Sequence, residues 1–226
     1  MKKYLFGSLF VVILFSLFSN ALPAEAAKSQ KLNGVIQENF NKYISGPVVG
    51  QGGWFDRENG SLYVVQGSVV KEGKKALYNN NSSSLESIIT KTGSKVLLNG
   101  KQSFYVRTEN RSGWDDFRSG QNVQMGVYQG SWDGPARAVF TFMKDGHVSY
   151  IDTSGYVEFD TYNDNAWNLA EIEWRTIDRS ARFRVNNGVW TSWIPFTGGA
   201  SFTGFDTVGI GSVLLGTGGV YFDNLK

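Results

Sequence analysis

WNLAEIEWRTIDRSARFRVNNGVWTSW (residues 167–193) reads as three successive strands joined by two short turns. Asn187-Gly188 lies between two alternating runs, and a two-residue type I′ turn needs positive φ at both central positions, which Asn and Gly tolerate best. That turn predicts Val185 opposite Trp190 and Phe183 opposite Ser192 on the core side. Arg184 then faces Thr191, and Arg182 faces Trp193, on the outer side, which makes Trp193 a candidate cation–π partner. The upstream turn lacks Gly, so side-chain direction must choose it: Ile172 and Trp174 have to share a face with Phe183 and Val185. A two-residue Asp178-Arg179 loop would oppose Arg175 to Arg182, whereas a four-residue loop over 176–179 opposes Glu173 to Arg182 and Glu171 to Arg184. Opposed like charges are unfavourable, so the longer loop is expected, with a Glu–Arg ladder outside. Exposed pairs of this kind add only about 0–1 kcal/mol each, so the ladder specifies register more than it stabilises.

The chain opens on MKKY and an apolar run of 14 residues, LFGSLFVVILFSLF, short for a bilayer span and of the length of a secretory signal. Small residues at Ala24 and Ala26 predict cleavage before Ala27, giving a secreted chain with no membrane span; a retained anchor is the alternative. A polar segment over 27–34 leads into a single domain expected over 35–226, long enough for one substantial core. With no Cys, neither a disulfide nor a lipid-modified cysteine can help hold it. Without residues 1–26 the chain carries 20 Lys+Arg against 19 Asp+Glu, interspersed and with no basic block, so nucleic acid is not an expected partner. The single His argues against catalytic triads and His-rich metal sites. The chain is expected to act as a monomer.

Outward from the opening stretch, short alternating runs separated by Gly, Asn, Asp and Ser turns imply an all-β sandwich or barrel. VIQENF (35–40) reads as a first strand, and Trp54 in the Gly-rich loop SGPVVGQGGWF is expected to plug the core. QSFYVRTEN (102–110) buries Phe104 and Val106 and presents Tyr105, Arg107 and Glu109. QNVQMGVYQ (121–129) buries Val123, Met125 and Val127 and presents Gln124 and Tyr128; ARAVFTFM (136–143) buries Ala138, Phe140 and Phe142 and presents Arg137 and Thr141. If these strands share a sheet, its outer face collects a polar-aromatic surface suited to hydroxyl-rich ligands. Two Gly-flanked loops, GWDD (113–116) and SWDGP (131–135), offer Trp114, Trp132 and Asp133, either as sugar-stacking platforms or as core plugs.

ENF near the start, GGWF, WNLAEIEW with FRVNNGVW, FTGFDTVGIGS and a terminal YFDNLK, taken in that order, resemble the concanavalin A-like lectin/glucanase superfamily in its laminin-G-like secreted bacterial forms. The resemblance implies an all-β, two-sheet antiparallel jelly-roll sandwich with a curved, often ligand-binding concave face. It implies no single activity, because lectins, glycosidases, lyases and adhesive domains share the fold. Glu171 and Glu173 resemble the catalytic strand of laminarinase-like glycosidases, but the third acidic position is Arg175 and an Arg faces each Glu, which favours a structural ladder. Arg107 to Arg111 and Met125 to Gln129 resemble two strand motifs of jelly-roll alginate lyases, whose Gln-x-His strand is missing here, His147 lying downstream. Glu38 and Asp223 could lie side by side if the termini pair, as in jelly rolls carrying a structural Ca²⁺, although two side chains are a bare minimum for calcium. The expectation is a noncatalytic, lectin-like domain recognising a polysaccharide through Tyr105, Arg107, Glu109, Gln124, Tyr128, Arg137, Trp114, Trp132 and Asp133. A polysaccharide-cleaving enzyme on the same fold and an adhesive cell-envelope domain are the alternatives.

Overall fold

The computed structural model describes residues 32–81, 86–114, 121–213 and 215–226; the expected signal sequence and Asp115-Asp116 lie outside them. Among the described residues no helix is long and apolar enough to cross a membrane. The strands are β1 (Gly46–Pro47), β2 (Trp54–Glu58), β3 (Val64–Gln66), β4 (Ala76–Asn79), β5 (Ser87–Leu97), β6 (Gly100–Glu109), β7 (Gln121–Tyr128) and β8 (Arg137–Met143). They continue with β9 (His147–Asp152), β10 (Gly155–Thr161), β11 (Asn168–Arg175), β12 (Ser180–Val185), β13 (Ile194–Pro195), β14 (Phe205–Ser212) and β15 (Gly219–Asp223).

They form two antiparallel sheets: an eight-stranded one in the order β1-β3-β4-β15-β6-β11-β12-β13, and a seven-stranded one in the order β10-β9-β8-β7-β14-β5-β2. Alternation supplies the core between them. Phe104, Val106, Ala170, Ile172, Trp174, Phe183 and Val185 from the first sheet pack with Val123, Met125, Val127, Ala138, Phe140, Phe142, Val208 and Ile210 from the second. Phe140 meets Phe183 edge to face across the core at 5.1 Å. Trp54 is buried, as its Gly loop led us to expect, and Trp174 donates its indole N–H to the carbonyl of Leu97 at 3.1 Å.

The upstream turn is the four-residue one: Arg175 faces Ser180, Glu173 faces Arg182 and Glu171 faces Arg184. Arg182 donates to Glu173 at 2.7 Å, and Glu171 accepts both from Arg184 and from Lys101 on β6, at 2.8 Å for the lysine. Trp193 lies 4.7 Å from the Arg182 guanidinium, as expected.

The downstream turn differs. Asn186 and Asn187, not Asn187 and Gly188, take the two positive-φ positions, and the Gly188 N–H closes the turn on the Val185 carbonyl at 2.8 Å. Asn186 is held there because its backbone N–H and side-chain oxygen both bond Leu169 on β11, at 2.8 Å each. The following residues slip until the expected register returns at Ala181 opposite Ile194 and Ser180 opposite Pro195. Trp190 is therefore not a core residue opposite Val185. Its ring lies outside, 4.8 Å from Arg182 and 4.5 Å from Arg184. VIQENF is likewise not a full strand: only Glu38 bridges, to Leu225, because Ile36 and Gln102 exchange side-chain rather than ladder bonds. The body already includes Asn33, whose carbonyl accepts the Lys101 N–H at 3.1 Å.

Burial pushes the Glu171 carboxyl up, but the bonds from Arg184 and Lys101 outweigh it and hold the group below the ordinary Glu range. A depressed folded pKa gives stability that is complete above the unfolded value of about 4.3 and is lost as pH falls through the folded one. Glu171→Ala should cost about 2–3 kcal/mol, because it strands two partly shielded cations. Chemical denaturation at a series of pH values should show wild type losing stability below about pH 4 more steeply than Glu171→Gln; parallel curves would refute this account of the register.

Candidate functional site

On the outer face of the seven-stranded sheet a site is built from missing side chains. In β14, Val208 and Ile210 enter the core, so Gly209 and Gly211 present bare backbone outward. Gly209 pairs with Gly126 of β7, which widens the bare strip. The Trp132 indole lies across it: a Cβ at Gly209 would stand 2.5 Å from Trp132 Cε3, and one at Gly211 2.8 Å from its Cη2. Tyr128 stacks beside it, ring centroids 4.9 Å apart at 27°. The loop carrying Trp132 is pinned at its base, where the Gln129 N–H bonds the Ala136 carbonyl at 3.0 Å and the Gly130 N–H bonds Asp206 at 2.6 Å.

The remaining surface of the indole borders a cavity of about 240 Å³ lined also by Gln124, Asp133, Arg137, Ile151 and Tyr156. That volume lies just under the roughly 300–1,000 Å³ of sites for drug-sized ligands, a scale suited to a small ring such as one sugar residue. Gln124 donates to the Tyr156 hydroxyl at 3.0 Å; since Tyr156 stands on the edge strand β10, its ring reaches over β9 and β8 to close that end. Asp133 is ion-paired with Arg57 of β2. Arg137 lies opposite Tyr128, and its guanidinium makes no hydrogen bond or ion pair among the described residues.

Four of the sequence-derived candidates thus converge: Gln124, Trp132, Asp133 and Arg137. Tyr128 is beside them but fully buried, and burial pushes its phenol well above the ordinary range, so it supports Trp132 rather than being presented. Thr141, expected on the exposed face, is buried as well. Tyr105, Arg107 and Glu109 do not join them, because β6 belongs to the eight-stranded sheet and β7 to the other. There Arg107 is engaged by Glu109 at 2.8 Å, Asn165 at 3.1 Å and the Tyr221 ring at 5.5 Å, while Lys71 sits over Tyr105 at 4.8 Å. Trp114 is a core plug: it is buried against Gly218 and has no face to offer. Tyr156, which lines the cavity, and Arg57, which pairs with its Asp133, were not foreseen from the sequence because only the strand order brings them there. The alternate glycines of GIGS were the available signal for the floor.

The residues proposed for calcium do not fit it. The termini do pair through Glu38 and Leu225, yet Glu38 is filled by the backbone N–H groups of Asn39 and Phe40, the Tyr43 hydroxyl and Lys91. Asp223 takes the N–H groups of Lys71, Glu72 and Asn224. Each carboxylate faces donors where a cation would need acceptors. A second group, Asp145, His147 and Glu158, brings His147 Nδ1 to 3.1 Å from Asp145 and 3.9 Å from Glu158. Asp145 raises the imidazole pKa, and the neighbouring Arg111 opposes added positive charge, so this is an ion-pair cluster about a protonatable ring. Adding a chelator should leave the melting temperature unchanged; a fall of several degrees would restore the calcium reading.

No protein-family pattern matches the sequence, and no curated protein is recognisably similar to it in sequence. Solved structures are similar in fold. The metal-free carbohydrate recognition domain of Emp46p matches with a TM-score of 0.54 at 12% identity, over 87% of this chain and 97% of that one. A glycoside hydrolase family 16 endo-glucanase from Bacteroides ovatus matches with a TM-score of 0.52 at 12% identity, over 85% and 99%. A sialidase matches with a TM-score of 0.57 at 13% identity over 87% of this chain, which spans only 19% of that protein's length. The fold shared with these structures is a jelly-roll sandwich of two antiparallel sheets, as the resemblance to the concanavalin A-like superfamily implied.

Because Gly209 leaves no room for a methyl group, Gly209→Ala should lift the Trp132 indole from its bed. Acrylamide quenching of tryptophan fluorescence should increase while the far-ultraviolet circular dichroism stays that of the wild type. Unaltered quenching would mean that the floor does not seat the ring.

Proposed function

We propose that this chain is a noncatalytic glycan-binding domain whose site is the Trp132 cavity on the seven-stranded sheet. The observation that carries the reading is the indole laid over Gly209 and Gly211 and braced by Tyr128, with its free surface bordering a small cavity. A rigid aromatic beside amide, hydroxyl and guanidinium groups suits a sugar, whose C–H face stacks while its hydroxyls bond Gln124, Tyr156 and Arg137. The likeness in fold to a carbohydrate recognition domain supports it. So does the placing of Glu171 and Glu173, the one alternating carboxylate pair that invited a glycosidase reading. They lie on the other sheet, where Glu171 is ion-paired with Arg184 and Lys101 and Glu173 with Arg182. Secretion, expected from the first residues, would bring such a domain to extracellular polysaccharide.

Wild type and Trp132→Ala should be titrated against a panel of polysaccharides. Loss of the stacking surface should weaken binding by about 1–2 kcal/mol, roughly tenfold, and Trp190→Ala, on the other sheet, should not. Flat titrations across the panel would defeat the reading, and release of reducing ends or unsaturated products would replace it with an enzyme.

A further inference from the structure

We infer that the ligand of this cavity is an anionic glycan, whose carboxylate or sulfate group seats on Arg137. This rests on the glycan-binding reading and adds the chemical class. Among the guanidinium groups singled out above, Arg57, Arg107, Arg182 and Arg184 each hold a carboxylate. Arg137 lines the cavity and holds none among the described residues. A planar guanidinium is suited to bind an oxyanion through two parallel N–H donors, so an unengaged one at a ligand cavity is a selective feature.

The acidic groups of the cavity do not cancel it. Asp133 is matched by Arg57. Glu86 stands at the opposite end: Arg137 is level with Thr207 through Tyr128, whereas Glu86 precedes Ser87, which pairs with Ser212. Six residues of strand separate those levels, roughly 20 Å between backbones, and no ion pair among the described residues joins Glu86 to Arg137. Trp132 lies between, over Gly209 and Gly211, so a sugar stacked on the indole can turn an acidic substituent towards Arg137. The whole chain carries a formal net charge of only +2, so a preference for polyanions would not follow from bulk attraction and points back to this residue.

The test compares polygalacturonate, a sulfated glucan and a neutral β-glucan as probes by calorimetry, with wild type, Arg137→Gln and Arg137→Lys, whose melting temperatures report folding. Wild type should favour one or both charged probes over the neutral one, with the preference shrinking as salt is raised. Arg137→Gln should weaken the charged probe about tenfold or more, and Arg137→Lys, which keeps the charge but not the fork, should fall between. Equal affinity of wild type for charged and neutral probes, or wild-type affinity for the charged probe in a folded Arg137→Gln, would overturn the anionic assignment and leave glycan binding standing. Failure of wild type to bind any of the three would overturn both.

Discussion

Glu171 couples three strands. Its carboxylate takes Lys101 from β6 on one side and Arg184 from β12 on the other, while Glu173 repeats the contact with Arg182 one pleat further along. A slip of one residue in β11 would carry Ile172 and Trp174 from the core to solvent, one in β12 would carry Phe183, and either would part the buried carboxylate from Arg184. The charge ladder and the hydrophobic face therefore enforce the same register. Outside it, Trp190 and Trp193 lie among Arg175, Arg182 and Arg184, so the region past the Asn186-Asn187 turn keeps its place through cation–π contacts where backbone pairing is sparse.

The opposite sheet solves a different problem. A seven-stranded sheet whose outer face was filled with side chains would offer a flat surface. Here β14 places two glycines in the outward positions, and a tryptophan from a neighbouring loop occupies the space they leave. The ring is thus fixed by backbone on one side before any ligand arrives, which limits the ordering cost of binding. Arg57 and Tyr156, from β2 and β10 at the two edges of this sheet, bring Asp133 and Gln124 into the same arrangement.

The two kinds of residue differed in how far they could be read in advance. The inward faces of β6, β7, β8, β11 and β12 followed from period-two alternation, and the Glu–Arg pairs followed from excluding opposed arginines. The Asn-Asn turn did not, because Asn186 is committed by its bonds to Leu169, a partner from another strand. Nor did the burial of Trp114, Tyr128 and Thr141: a residue on an outward-facing position is exposed only if nothing else covers it, and Trp132 covers Tyr128.

What the sequence by itself determined was local: which residues of β6, β7, β8, β11 and β12 face inward, how long the turn between β11 and β12 is, which charges oppose across those two strands, and the all-β class that these add up to. What only the tertiary structure decided was which strands are neighbours. β6 and β7 follow one another in the chain and carry similar alternating patterns, yet they enter different sheets, so Arg107 and Tyr128 lie on opposite sides of the molecule. Alternation is set by the backbone of a single strand, whereas sheet membership is set by long-range pairing, β6 with β15 and β7 with β14, for which the short-range pattern carries no record.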